Sequence, residues 1–254
     1  MLRKVFRYDV SAMGRFLVPL YACLLLAALL LGLDTRFLGT ASLPIIGIVL
    51  SALMILLLVL VFALTFVIIL HRFRQNLLGP EGYFTFTLPV STLTHLLSKL
   101  LSALLFAVLA GFVAALAFFL LFSVSARELV NSRTLFEAAR LFLSSIRSEH
   151  VTLVGQVLLL IVFGLASSIL QWFFCLTLGS LWKKHPLLGT LLSYLAVSFL
   201  QNQLLHLIFG NMDVAFENVM PASFFVPSLC MELVLGAVYL ALTHFILDRH
   251  LNLE

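Results

Sequence analysis

The stretch PIIGIVLSALMILLLVLVFALTFVIIL, residues 44–70, carries no charged side chain. A bilayer core of about 30 Å needs about 20 apolar residues in a helix. This run exceeds the requirement, so a helix built from it tilts or projects into water at one end. The rest of the chain is of the same kind. Of its 254 residues 63% are hydrophobic and 10% charged, and the mean hydropathy is +1.17. Soluble domains have about 45–50% apolar and about 25% charged residues. No soluble fold of this size hides that much apolar surface, so the bilayer is the solvent.

Five more segments reach spanning length. The six are Phe16–Leu33, Pro44–Leu70, Leu97–Val124, Leu153–Trp182, Leu187–Phe209 and Val226–Leu247, each ending at charges, Gly, Asn or Pro. The expected fold is all-α, a polytopic membrane protein with six transmembrane helices in a single domain over 1–254. The first apolar run follows fifteen residues and precedes only a weak cleavage site, LGTAS at 38–42, so it reads as a span rather than a leader. The net charge of +4 comes without a basic tract, which points to membrane orientation and away from nucleic acid. Cys23, Cys175 and Cys230 all lie in apolar runs and read as small hydrophobes.

Lys and Arg set the orientation. With both termini in the cytoplasm, the inner side holds Arg3, Lys4, Arg7, Arg15, Arg72, Arg74, Lys99, Lys183, Lys184 and Arg249. The outer side holds only Arg36, Arg127, Arg133, Arg140 and Arg147, mixed with Glu128, Glu137 and Glu149. Residues 1–15, short and basic, read either as an interfacial helix leading into the first span or as a frayed tail. Residues 125–152 form an outer loop. Within it, 134–149 has Leu135, Phe136, Ala139, Phe142, Leu143 and Ile146 on one helical face, behind a Thr134/Glu137 capping box. In lipid, helices associate by close backbone approach. Ala103, Ala107, Gly111 and Ala115 in the third span, and Gly164 and Ser168 in the fourth, are the expected packing surfaces.

Chemistry is sparse. The chain has no G-x-x-x-x-G-K-[ST], H-E-x-x-H or G-x-S-x-G motif, and its seven histidines are scattered. No catalytic residue, metal site or cofactor is expected. Glu232 is the only acidic residue well inside a span, which disfavours a self-contained ion-driven carrier.

One polar break interrupts the pattern between spans two and three, within residues 71–96. Gly79-Pro80-Glu81-Gly82 leads into an aromatic/threonine alternation and then Pro89. Gly79 and Pro80 suit the start of a short helix, and Glu81 suits its positive end. Gly82 argues against a long one. The alternation is strand-like, but an unpaired strand edge at a membrane is costly. The expected form is a short interfacial helix, a bend at Pro89, and a third span starting near Ser91. On these residues alone an ordinary turn joining two spans is the simpler reading.

Three stretches resemble the permease subunits of bacterial ABC-2-type transporters, in the six-span, type V exporter-like form. GPEGYFTFTLPVSTLTHLLSKLL (79–101) is similar to that family's E-G-Y-x-T-x-T-L-P-V-S…S-K-L-L pattern. LTLGSLWKKH (176–185) resembles its Leu-Gly and basic turn after span four, and ILDRHLNLE (246–254) resembles its ending. The resemblance implies a subunit without its own catalytic site, coupled to a separate cytoplasmic ABC ATPase that docks on the 79–91 segment through Glu81, Gly82, Tyr83 and Phe84. Phe84, Phe86 and Leu88 would grip the membrane interface or the ATPase groove. It also implies a dimer, with itself or a similar chain, around a central pathway, and outward transport. A pathway of Leu, Phe, Ala and Ser suits amphipathic or lipid-like cargo. The alternative function is a non-transporting membrane scaffold or immunity protein.

Glu232 lies about 9 Å in from Val226 at 1.5 Å per residue, in a layer expected to include Gln201, Gln203 and His206. It is read either as hydrogen-bonded packing glue, or as lining the outer pathway or anchoring a re-entrant turn built from 210–227.

Overall fold

The computed structural model describes residues 2–37, 44–79, 91–125, 148–182, 184–209 and 222–249. The described residues form six long helices: α1 (Leu2–Phe37), α2 (Pro44–Phe73), α3 (Thr92–Ser125), α4 (Ser148–Ser180), α5 (Pro186–Phe209) and α6 (Ala222–Arg249). A π-helical turn, Arg74–Leu78, continues α2. All six are long and apolar enough to cross a membrane. The protein is an all-α, multi-pass membrane protein with six candidate transmembrane helices.

Helix is the necessary form for these runs. An unsatisfied backbone group in hydrocarbon costs several kcal/mol, whereas the helix-propensity deficit of Val or Ile is at most about 0.7 kcal/mol. Hydroxyls obey the same constraint by bonding back along their own helix. Thr65 donates to Val61 O at 2.6 Å, Thr177 to Phe173 O at 2.7 Å and Thr243 to Tyr239 O at 2.6 Å, all three buried. Outward surfaces are apolar: Leu207 is 80% exposed, and Phe122 and Ile45 are nearly as bare.

The chain divides into two compact units, residues 8–68 with 105–147, and residues 1–7 with 69–104 and 148–254. In the first, α1 buries Met13, Leu17, Tyr21, Leu24, Ala27, Ala28 and Leu31, a stripe at helical three- and four-residue steps. Tyr21 joins three helices. Its hydroxyl lies 3.1 Å from Thr65 Oγ1 on α2 and donates to Phe106 O on α3 at 3.4 Å. Farther along, Gly32 lets α1 approach α3, since a Cβ there would stand 2.9 Å from Val124.

In the second unit α4 packs against both α5 and α6. Phe73 at the end of α2 stacks on Phe173 of α4, with ring centroids 4.0 Å apart. Trp172 of α4 stacks on Tyr194 of α5 at 3.9 Å. A Cβ built on Gly236 of α6 would meet Ser167 and Leu170 of α4 at 3.7 Å, an ordinary contact distance.

Several expectations need correction. Residues 2–15 are not a frayed tail; they are helical and run directly into the first span as the first turns of α1, with Asp9 and Met13 buried. Helix α3 does not pack along Ala103, Ala107, Gly111 and Ala115. Ala103 is buried, but Gly111 and Ala115 are exposed, and among the described residues no atom beyond the local helix backbone lies within 4 Å of a Cβ built on Gly111. Four residues advance a helix about 40° beyond a full turn, so three such steps rotate the row about 120° off its starting face. Burial instead follows alternating three- and four-residue steps: Ala103, Phe106, Ala110, Val113 with Ala114, and Ala117. In α4 the expected Gly164 and Ser168 are likewise open or exposed, and the packed face carries Ser167, Leu170 and Gln171. Other ionisable groups are buried against the protein: Asp9, His95 and Lys99 are all at most 3% exposed. The 134–147 part of the expected outer helix lies outside the described residues, while residues 148–149 begin α4.

Candidate functional site

Polar side chains tie α4, α5 and α6 in a closed triangle. Ser167 of α4 donates to Glu232 Oε2 of α6. Gln171, one turn along α4, donates to Ser198 Oγ of α5 at 3.0 Å. Tyr239, two turns along α6 from Glu232, donates to Gln201 Oε1 of α5 at 3.3 Å. The Tyr239 ring also lies against Phe174 of α4, centroids 5.9 Å apart. Each helix pair thus has its own polar bond, at positions where lipid offers none.

Glu232 lies eight residues into the candidate span Phe224–Asp248. Helix α6 itself begins at Ala222, ten residues or about 15 Å before the carboxylate. The same start places 222–227 inside a continuous helix that carries Pro227, which leaves only 210–221 of the expected re-entrant turn, and those lie outside the described residues. A cavity of about 220 Å³ opens beside the carboxylate, lined by Gln201, Leu205, Phe224, Ser228, Met231, Glu232 and Leu235. Of the four polar residues singled out in the sequence, Glu232 and Gln201 meet at this cavity. Gln203 and His206 are exposed and line no part of it.

A second cluster surrounds the ends of the polar break. At its start, Leu77 in the π-helical turn is buried, four residues after Phe73 of the Phe73–Phe173 stack. Gly79 ends that turn in extended backbone, and a Cβ there would stand 2.9 Å from Gln75 O. At its end, Ser91 caps α3: its carbonyl accepts from Thr94 N at 2.9 Å, and its hydroxyl lies 2.8 Å from Thr94 Oγ1. Thr92 then reaches across to His244 Nδ1 of α6 at 3.0 Å, and His244 Nε2 faces Asp248 at 3.4 Å. With Nε2–H directed at that carboxylate, Nδ1 accepts from the Thr92 hydroxyl. His95, Ser98, Lys99 and Ser102 follow as a buried polar face of α3. Glu81, Gly82, Tyr83, Phe84, Phe86 and Leu88 lie outside the described residues.

The corner between α4 and α5 belongs to the same unit. Gly179 and Gly189 face each other, a Cβ on Gly189 standing 3.2 Å from Gly179 Cα. A cavity of about 180 Å³ beside it is lined by Arg74, Leu78, Leu176, Ser180, Trp182, Pro186, Leu187 and Thr190. Among the described residues, no group of three or more His, Cys, Asp and Glu side chains is placed to hold a metal.

Sequence reading did not single out Ser167, Gln171, Ser198, Tyr239, Thr92 or His244. The available signal was a Ser and a Gln at i and i+4 in the fourth span, a spacing that places both on one face.

In comparisons with known proteins, no family model, no curated protein and no solved structure matches the chain.

Proposed function

We propose that this protein is the permease subunit of an ATP-driven exporter, dimeric around a pathway and driven by a separate cytoplasmic ABC ATPase that binds at residues 79–91. One observation carries the reading. The three stretches on which the resemblance rests are far apart in sequence, yet their described parts fall in one compact unit, linked through residues beside them. Thr92 of the first bonds His244, just before the third, while the second, ending α4, shares a cavity with Arg74 and Leu78, which lead into the first. A docking element must transmit force as well as bind. Here the segment's two ends are fixed to α4 and α6, through Phe73–Phe173 and Thr92–His244, and those two helices hold the Ser167–Glu232 pair. ATP hydrolysis belongs to the partner, so this chain needs no catalytic residue.

The reading requires the segment to be cytoplasmic. Single cysteines at Asn76 or His185, in a background lacking Cys23, Cys175 and Cys230, are expected to react only from the cytoplasmic side. A cysteine at Asn211 is expected to react only from outside. Glu81→Ala and Gly82→Pro should leave the protein inserted while lowering its stimulation of ATP hydrolysis in proteoliposomes. Reversed labelling, or full stimulation with Glu81, Tyr83 and Phe84 all replaced by Ala, would reduce the segment to a turn.

A further inference from the structure

The cavity between α5 and α6 has one acidic group in an otherwise mostly apolar wall. Glu232 Oε2 is fixed by the Ser167 hydroxyl. Among the described residues no donor reaches Oε1, and no Lys, Arg or His lines the cavity. Phe224, Met231 and Leu205 supply apolar and aromatic surface around it, and Gln201 is turned toward Tyr239. A carboxylate in such a setting attracts positive charge far more strongly than one in water. An aromatic face and a methionine suit a quaternary or alkylated ammonium, which is weakly hydrated and bound through its methyl groups. Space is sufficient: an apolar cavity of about 150 Å³ admits benzene, and this one measures about 220 Å³.

We propose that this cavity binds a small lipophilic cation, an ammonium head on an aromatic or short alkyl body, with Glu232 as its counter-ion. The cation's role as cargo rests on the permease reading; its binding requires no ATPase.

The probe is radiolabelled benzyltrimethylammonium, bound to purified protein immobilised in lipid nanodiscs. Its competitors are the unlabelled cation and neopentylbenzene, the isostere with carbon in place of nitrogen. Saturable binding is expected, displaced by the unlabelled cation and roughly tenfold or more less effectively by the neutral isostere. Glu232→Gln should weaken binding by a similar factor. Leu235→Trp, which fills the cavity and leaves the carboxylate in place, should also weaken it, and carries the test if the first variant fails to fold. Equal displacement by the two competitors, absence of saturable binding, or unchanged binding in Leu235→Trp would overturn the proposal. ATPase co-elution is scored on the same preparations. Cation binding without co-elution would remove the permease reading and leave the site standing; co-elution without cation binding would do the reverse.

Discussion

Gly179→Leu is expected to abolish recovery of folded protein, and Gly179→Ala to cost about 1–3 kcal/mol, the usual range for forcing extra volume into a packed site. A Cβ at this position would stand 2.8 Å from the Pro186 carbonyl oxygen and closer still to the Thr190 hydroxyl. Neither neighbour moves easily. Pro186 opens α5 with its φ fixed by the ring, and Thr190 is tied to Pro186 O at 2.9 Å. Gly189 blocks retreat on the facing side. Alanine at Gly111 or Gly164, where a Cβ meets nothing within 4 Å, should instead be neutral or stabilise by up to about 1 kcal/mol through helix propensity. Denaturant titration followed by tryptophan fluorescence checks the contrast, because Trp172 stacks on Tyr194 across the α4–α5 contact. Equal stability of Gly179→Ala and wild type would show that α4 and α5 do not approach as described.

Glu232→Leu is expected to insert and fold at least as well as wild type while losing cation binding and transport. The magnitudes decide this. An acidic side chain near the middle of a span costs about 2.5–3.5 kcal/mol on the insertion scale, whereas leucine gains about 0.3–0.6. An interhelical hydrogen bond in a membrane returns about 0.6 kcal/mol on average and about 1.7 at most. The bond from Ser167 therefore cannot offset the cost of the carboxylate, and losing it leaves Ser167 with its second acceptor, Gly164 O at 3.1 Å. Packing glue is thus a poor reason to keep an acid here, and a ligand is a better one. Stability of the variant is measured by the same titration and transport in proteoliposomes. A Glu232→Leu protein that falls apart, or one that transports normally, would return the residue to a structural role.

Most of the helical plan was legible because lipid imposes length and composition together. The predicted start of the fifth span, Leu187, falls one residue from the observed Pro186, and the second span shares its first residue, Pro44, with α2. The start of α1 was not legible. Arg3, Lys4, Arg7 and Asp9 lower the local hydropathy, yet the backbone continues as helix and buries Asp9. Rotational phase was the larger loss. When nearly every face of a helix is apolar, hydropathy does not say which one packs, so the Ala103–Ala115 row looked like a contact and Ser167, Gln171 and Tyr239 did not stand out. Lys99 was counted only as an inner-side basic residue for orientation; its burial depends on which way α3 faces, which a linear count does not contain. At the candidate site, Glu232 and Gln201 were legible as rare polar groups at depth, while their partners on α4 and α6 required the fold.

The central claim is that this chain is driven by a separate ATPase, and affinity purification of the full chain in mild detergent tests it most directly. An ABC ATPase is expected to co-elute in equimolar amount, the eluate to hydrolyse ATP, and both to be lost when Glu81, Tyr83 and Phe84 are replaced by Ala. A folded chain that elutes alone, with no ATP hydrolysis, would contradict it.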